Sequence, residues 1–262
     1  MSVYFNDSVL AVAEAVHSLL NQSLLPNEII IVIDGPIPDI LDKLINEFSK
    51  NEIIKIIKLK LNIGPGKSKD VGIKKAKYPL IAIMDSDDIS IKDRFKIQIE
   101  KFCDDQIDVV GGWIEEFDKN TGDLKQVRKV PLDHKDIISF SKWRNPINHV
   151  SLIFKKEAYQ EAGGYSSIRT CEDWDLIVRM IKRGIIIKNI PEILVKVRTG
   201  NDMLKRRVSL SHLKDEINLF YNMYLVKHIN LFQLFANILL RAGVHCIPHR
   251  LIYLFYRLFL RN

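Results

Sequence analysis

Leu80-Ile81-Ala82-Ile83-Met84-Asp85-Ser86-Asp87-Asp88 decides how this chain folds. Its five apolar residues read as a strand covered on both faces, and three carboxylates follow within four positions. An unpaired carboxylate inside such a strand is expensive, so the acids must stand at its exposed end. Asp85 and Asp87, two apart, can then point the same way. In an open α/β sheet ligands gather outside the carboxyl ends of the strands. Carboxylates placed there suit a hard divalent cation such as Mg²⁺ shared with substrate phosphates. The competing reading is a solvated acidic turn that caps the next helix.

Working outward, the preceding chain alternates strands with helices. Val3-Tyr4-Phe5 reads as a first strand, Asn6-Asp7-Ser8 as a helix start, and Val9 to Leu20 as an amphipathic helix. Glu28-Ile29-Ile30-Ile31-Val32-Ile33 is a second buried strand, ending in Asp34-Gly35-Pro36. A helix over roughly 39–50, an apolar run from Ile53 to Leu61, the turn-rich Asn62-Ile63-Gly64-Pro65-Gly66 and a helix from Ser68 to Lys77 complete the pattern. Such alternation predicts a largely parallel, doubly wound sheet. Asp34, the Gly64/Gly66 loop and Asp85/Asp87 should then meet at the strand carboxyl ends.

Beyond Asp88, Ser90-Ile91-Lys92-Asp93 has the spacing of a capping box, opening a helix to about Cys103. Val109-Val110-Gly111-Gly112-Trp113 and Leu152-Ile153-Phe154 read as strands, and Thr121-Gly122 as a hairpin turn. Leu176, Ile177, Met180 and Ile181 mark the buried stripe of a helix that stops at Gly184. Its first turn holds Glu172, Asp173 and Asp175, where the positive end of the helix dipole favours carboxylates.

At 262 residues and 47% hydrophobic, the chain can build one large domain, or one domain with an appendage. Cys103, Cys171 and Cys246 form no metal-ligand spacing and fit a reduced cytoplasmic compartment. Met1-Ser2-Val3-Tyr4 lacks the basic and apolar regions of a leader. The net charge of +7 is uneven: from Ile217 to Asn262 there is no acid, while Lys227, Arg241, Arg250, Arg257 and Arg261 fall there. That asymmetry marks a basic tail and argues against a nucleic-acid-binding protein. Leu231 to Leu260 is rich in Leu, Ile and Phe, but Gln233, Asn237, Arg241 and His245 interrupt it, so a spanning helix is poorly made. Arg250, Arg257 and Arg261 fall within about 40° on a helix whose other faces are apolar, as on a helix lying in an anionic membrane surface. A core-packed helix with snorkelling arginines is the alternative. The expected division is residues 1–210 as the main domain and 211–262 as the helical, membrane-associating region.

These stretches, taken in order, resemble family 2 glycosyltransferases of the GT-A fold, of the kind that build bacterial surface polysaccharides. The resemblance runs through Ser2 to Asn6, Ser18 to Gln22, Ile33-Asp34-Gly35, Asn62-Ile63-Gly64, Asp85-Ser86-Asp87-Asp88, Gly163-Gly164-Tyr165 and Glu172-Asp173-Trp174-Asp175-Leu176, covering about the first 200 residues. It implies that Asp34 contacts the nucleotide base or ribose, that Asp85 faces the nucleotide, and that Asp87 ligates a Mg²⁺ or Mn²⁺ bridging the diphosphate. Asp173 becomes the catalytic base, with Glu172 orienting it or the acceptor. Phe5, Asn62, Gly64, Lys69, Ser86, His149, Trp174 and Arg206 complete the expected nucleotide and substrate contacts. Where many members have Arg-Asn after the glycine loop, this chain has Lys69-Asp70. No Gln-x-x-Arg-Trp motif of the processive synthases is present, so a single transfer is expected.

The implied reaction is a metal-dependent, inverting sugar transfer from a nucleotide donor, UDP-linked by expectation, to a lipid-linked or growing glycan at the cytoplasmic face of the membrane. The same metal logic would serve a sugar-nucleotide nucleotidyltransferase, but Asn6-Asp7-Ser8 is not a Gly-rich basic loop. It would also serve an aspartyl phosphotransferase or phosphatase, whose acidic motif belongs nearer the first strand. No GxGxxG follows a strand, which removes the dinucleotide oxidoreductases.

Overall fold

The computed structural model describes residues 1–104, 106–166, 168, 170–199 and 210–245. Strands β1 (Ser2–Val3), β2 (Ile29–Ile33) and β3 (Ile54–Lys58) form a parallel sheet in that order. Helices α1 (Val9–Leu20), α2 (Asp39–Phe48) and α3 (Pro65–Lys75) make the crossovers that parallel pairing requires. Ser8 caps α1, its Oγ accepting the Ala11 N–H at 3.5 Å. β2 buries Ile29, Ile31 and Ile33 against α1 (Val12, Ala15, Val16, Leu19) and α2 (Leu41, Ile45), while Val32 faces α3 at Gly72. Full burial of each such side chain contributes about 1.5–3 kcal/mol.

The second sheet holds β4 (Leu80–Ala82), β8 (Ile153–Lys155), β6 (Val109–Phe117), β9 (Ile187–Arg198) and β5 (Ile89–Ser90) side by side, with β7 (Gln126–Arg128) on β6. Among these pairs β6–β9 is parallel and the others are antiparallel. The α/β class is therefore as expected, while long-range parallel pairing is confined to the first sheet and β6–β9. A cavity of about 390 Å³ lies between β2 and β4, lined by Ile29, Ile30, Val32, Ile81, Ile83 and Phe95. The Met1 ammonium borders it and donates to the Ile30 carbonyl at 2.8 Å. Burial, then the Lys69 charge, push that ammonium down to about 5.

One local expectation fails. Ser90 does not cap a helix; it lies in β5, and the helix α4 (Arg94–Ile99) begins four residues later. The Ser90 N–H donates to Ser18 Oγ at 3.0 Å, Gln22 Nε2 donates to Ser90 Oγ at 3.2 Å, and Ser90 pairs with Val195 of β9. These long-range bonds outweigh a capping box, which offers only two local ones.

The remaining helices are α5 (His134–Ser141), α6 (Lys156–Glu161), α7 (Glu172–Lys182), α8 (Leu210–Leu225) and α9 (Leu231–His245). The last two pack on the main body. Leu219, Phe220, Met223, Ile229 and Leu234 close over Trp174 and Val178 of α7. Asn237 donates to the Lys142 carbonyl at 3.0 Å, and His228 shares a 2.8 Å hydrogen bond with Ser141. No helix among the described residues is long and apolar enough to cross a membrane. The arginine-striped segment 250–261 lies outside them.

Candidate active site

The carboxyl ends of the parallel strands carry the first half of the site. Asp34, buried at the end of β2, accepts the N–H groups of Ile63 at 2.7 Å and Gly64 at 3.0 Å. Asn62 Nδ2 donates back to the Asp34 carbonyl at 3.2 Å. Gly35 is required here: its φ is +86°, and a Cβ would lie 2.7 Å from the Asn62 nitrogen. The aspartate and the glycine loop are thus one unit, and Gly64, at φ +90°, faces open space. Phe5, after β1, is exposed beside this edge.

Behind the loop, α3 sends Lys69 inward, where its ammonium meets Asp85 Oδ1 at 2.5 Å. Burial alone would lower the Lys69 pKa, but Asp85, with Glu172 and Asp173 beyond it, outweighs burial and raises it. In return Lys69 holds the Asp85 carboxyl below its usual range despite desolvation.

The other two acids of the motif differ. Asp87 is exposed at the mouth of the loop. Surrounding protein strips part of its hydration, and Asp85 and Asp7 repel it, together pushing its carboxyl up to about 6. Asp88 is buried and accepts the Arg198 backbone N–H at 2.9 Å. Burial, then Asp85 and Asp87, raise it well above the usual carboxylate range. Asp88 therefore ties the loop to the end of β9. Ser86 is also buried and hydrogen-bonds Asp7.

Among the described residues no three His, Cys, Asp or Glu side chains converge to hold a metal by themselves. An exposed carboxylate under repulsion from two others nonetheless favours a positive partner. Oxygen donors in that number fit Mg²⁺ or Mn²⁺ taking its remaining ligands from phosphates and water; they do not fit a closed zinc site.

The second half arrives on α7. Asp173 Oδ2 accepts Asn145 Nδ2 at 2.7 Å, and its Oδ1 accepts the Trp174 N–H at 2.7 Å. Glu172 touches the glycine loop, since a Cβ on Gly66 would come within 3.2 Å of its Cγ. Burial, then Asp173, push the Glu172 carboxyl up to about 8. His149 Nε2 and the Tyr165 hydroxyl share a 2.7 Å hydrogen bond. Burial, then Lys69, push His149 down to about 4, so it is neutral at pH 7. Gly164, at φ +68°, lets Tyr159 reach both the Tyr165 N–H (3.0 Å) and Asp70 (2.9 Å).

Most of the expected residues are brought together, with two exceptions. Trp174 lies one position past Asp173, about 100° round the helix. Its ring is buried edge-on to Phe220, with its indole N–H on the Ser141 carbonyl at 2.9 Å, so it belongs to the α7–α8 interface. Arg206 lies outside the described residues. Sequence reading missed Arg94, fully buried beneath the acidic loop. Its Nη2 donates to the Ile83 carbonyl at 2.9 Å and its Nε to Gln98 Oε1 at 3.0 Å. Burial pulls this guanidinium down to about 9, opposed by Asp88 and Asp85.

An acid-lined strand end thus faces a helix N-terminus across a glycine loop, in a mixed α/β fold of GT-A type. The model of glycosyl transferase family 2 matches residues 3–163, and the chain belongs to that family and is a glycosyltransferase. It is 33% identical over 264 residues to an uncharacterized glycosyltransferase of Haemophilus influenzae, covering 100% of this chain and 98% of the relative. It is 30% identical over 249 residues to the UDP-Gal:alpha-D-GlcNAc-diphosphoundecaprenol beta-1,3-galactosyltransferase of Escherichia coli (95% and 90% covered). Identity to the amylovoran biosynthesis glycosyltransferase of Erwinia amylovora is 31% over 222 residues (84% and 82%). In fold it is similar to S. aureus TarS 1-349 in complex with UDP-GlcNAc, at TM-score 0.66 and 19% identity, covering 92% of this chain and 71% of that one. The mannosyltransferase PcManGT of Pyrobaculum calidifontis, in complex with GDP-Man and Mn²⁺, gives TM-score 0.64 at 13% identity (96% and 70%).

Proposed function

We propose that this chain is a metal-dependent, inverting glycosyltransferase that moves one sugar from a UDP-linked donor to a lipid-linked or growing surface glycan. The observation that carries this reading is the position of Lys69. It pairs with Asp85 and also feels Glu172 and Asp173, so the donor-side acids and the α7 acids share one site although nearly ninety positions separate them. The relatives' names support the donor and acceptor classes: one uses UDP-Gal with a diphosphoundecaprenol-linked sugar, and one structural neighbour holds UDP-GlcNAc. The neighbour containing Mn²⁺ supports the metal.

In this reading Asp34, Asn62 and Gly64 receive the nucleoside, with Phe5 beside them, and Asp85, Ser86 and Lys69 set the floor under the diphosphate. A cation held by Asp87 would stabilise the charge that develops on the leaving diphosphate. Each Asp173 oxygen accepts one hydrogen bond, leaving a lone pair for an acceptor hydroxyl. Asp173 takes that proton as the hydroxyl oxygen attacks the anomeric carbon from the face opposite the diphosphate. The bond to phosphate breaks, its electron pair leaves with the diphosphate, and one displacement inverts the centre. Glu172 holds its proton at neutral pH and can donate to the acceptor, while neutral His149 braces Tyr165. Work on a lipid-carried glycan implies peripheral attachment at the cytoplasmic face of an anionic membrane, through the 211–262 region.

Titration calorimetry with UDP and GDP, with and without Mn²⁺, tests the donor half. UDP should bind preferentially and more tightly with Mn²⁺, and Asp87→Ala should abolish the metal effect. Binding indifferent to both metal and substitution would refute the assignment.

A further inference from the structure

Helix α9 carries apolar residues on its outer side as well as its inner one. At about 100° per residue, Phe232, Phe235 and Leu239 fall within about 60° of one another, opposite Leu234, Asn237 and Arg241. The second group faces the protein: Leu234 and Asn237 are buried, and Arg241 bonds the Trp143 carbonyl and Glu216. The first group faces outward at 76%, 58% and 71% exposure. Helix α8 repeats the pattern with exposed Ile217, Tyr221 and Leu225 at four-residue spacing. Val226 and Lys227 are exposed in the turn between the helices, with exposed Leu225 and Leu231 at the helix ends on either side. Exposed apolar residues in such number mark a docking surface on a monomer.

We infer that the outer faces of α8 and α9, with the 226–230 turn leading, dock on an anionic lipid surface and set the acceptor side of the site against it. Charge selects the partner. After Glu216 the sequence has no acid; Lys227 stands exposed between the two helices, and Arg250, Arg257 and Arg261 follow in the sequence, a balance that suits anionic headgroups. The exposed rings of Tyr221, Phe232 and Phe235, on either side of Lys227 in sequence, suit the depth at which interfacial helices sit. Orientation follows from packing. Phe220 of α8 lies edge-on to Trp174, 5.4 Å between centroids, and Trp174 adjoins Asp173 in sequence. Thr170, just before α7, donates to Asp215 of α8 at 2.9 Å. The docking face is thus fastened to the helix whose first turn carries the proposed base, on the side from which a lipid-carried acceptor would arrive. That last step rests on the glycosyltransferase reading; the docking itself does not.

The test is vesicle co-flotation of the full chain, using phosphatidylcholine alone and with about 30 mol% phosphatidylglycerol. The parent should float with the anionic vesicles and should be released by 0.5 M salt only in part, because its apolar side chains insert. The triple variant Phe232→Ser, Phe235→Ser, Leu239→Ser removes exposed groups only. It should keep the parent melting temperature and UDP affinity while losing at least about tenfold in the floated fraction. Equal flotation of parent and variant would overturn the docking face, and equal flotation on neutral and anionic vesicles would overturn the charge argument. A parent that does not float but forms a dimer by light scattering, broken by the variant, would assign the face to a second copy of the chain. Loss of UDP binding in parent and variant alike, with flotation intact, would instead strike the enzyme reading.

Discussion

Replacing Arg94 with methionine keeps an unbranched, space-filling chain and deletes the buried fork beneath the acidic loop. Two acceptors lose good partners, the Ile83 carbonyl (2.9 Å) and Gln98 Oε1 (3.0 Å). The Leu152 carbonyl loses a longer contact of 3.4 Å but keeps the Ile83 N–H at 2.9 Å. An orphaned buried acceptor costs about 1–3 kcal/mol, so the gross loss is about 2–6 kcal/mol. Against this, methionine removes the burden of desolvating a guanidinium, and exchanging buried charge for apolar packing is often neutral or favourable. The orphaned acceptors decide the balance, giving a net loss of about 3 kcal/mol. For a chain of this size that lowers Tm by roughly 6–12 °C. Urea unfolding measures the loss, and hydrogen exchange over residues 83–88 should quicken. Arg94→Lys should recover part of the stability but not the loop protection, since one ammonium cannot span both acceptors. Stability of the methionine variant within about 0.5 kcal/mol of the parent would refute the reasoning.

Asp34→Ala should cost about 3 kcal/mol by orphaning the Ile63 and Gly64 N–H groups, visible in urea unfolding and as faster exchange at those two amides. Burial, then Lys142 and Lys182, lower His228 from 6.5 to about 4, so its neutral form is the one the folded state holds. Its contribution is therefore complete above pH 6.5 and is lost as pH falls toward 4. Limited proteolysis should show the α8–α9 turn opening in that window, and His228→Asn should remove the pH step. Glu172 has the opposite sense: its folded pKa, about 8, exceeds the usual 4.5, so ionising it costs stability as pH rises from 4.5 to 8. Glu172→Gln should flatten the fall in Tm across that range.

What was legible in the sequence followed from local physics. The carboxylates after Met84 had to lie at a strand end, and Asp34 and the glycine loop followed from the same rule applied to β2. What stayed hidden shares a cause, since the deciding partners lie elsewhere in the chain. Ser90 carries a helix-cap spacing, but Ser18, Gln22 and β9 claim it, and none of these is local. Trp174 sits inside the resembling motif, yet helical phase turns it toward Phe220, which comes from a helix beyond the motif. Arg94 serves a carbonyl ten or so residues away, a contact that leaves no periodic trace in the chain. Asp88 is likewise the buried anchor of β9, because its partner is a backbone N–H at position 198.

Transfer itself tests the central claim most directly. Parent protein, Asp87→Ala and Asp173→Asn should be assayed with a panel of UDP- and GDP-linked sugars and a lipid-linked glycan acceptor, with Mn²⁺ or EDTA, following nucleotide release and the anomeric configuration of the product. Under the proposed mechanism release needs both cation and acceptor, the product is inverted, and Asp87→Ala shows no metal-dependent turnover. Asp173→Asn should lose about 10²–10⁴-fold in rate while binding UDP as the parent does. Turnover by Asp173→Asn at the parent rate, or full activity of Asp87→Ala, would contradict it.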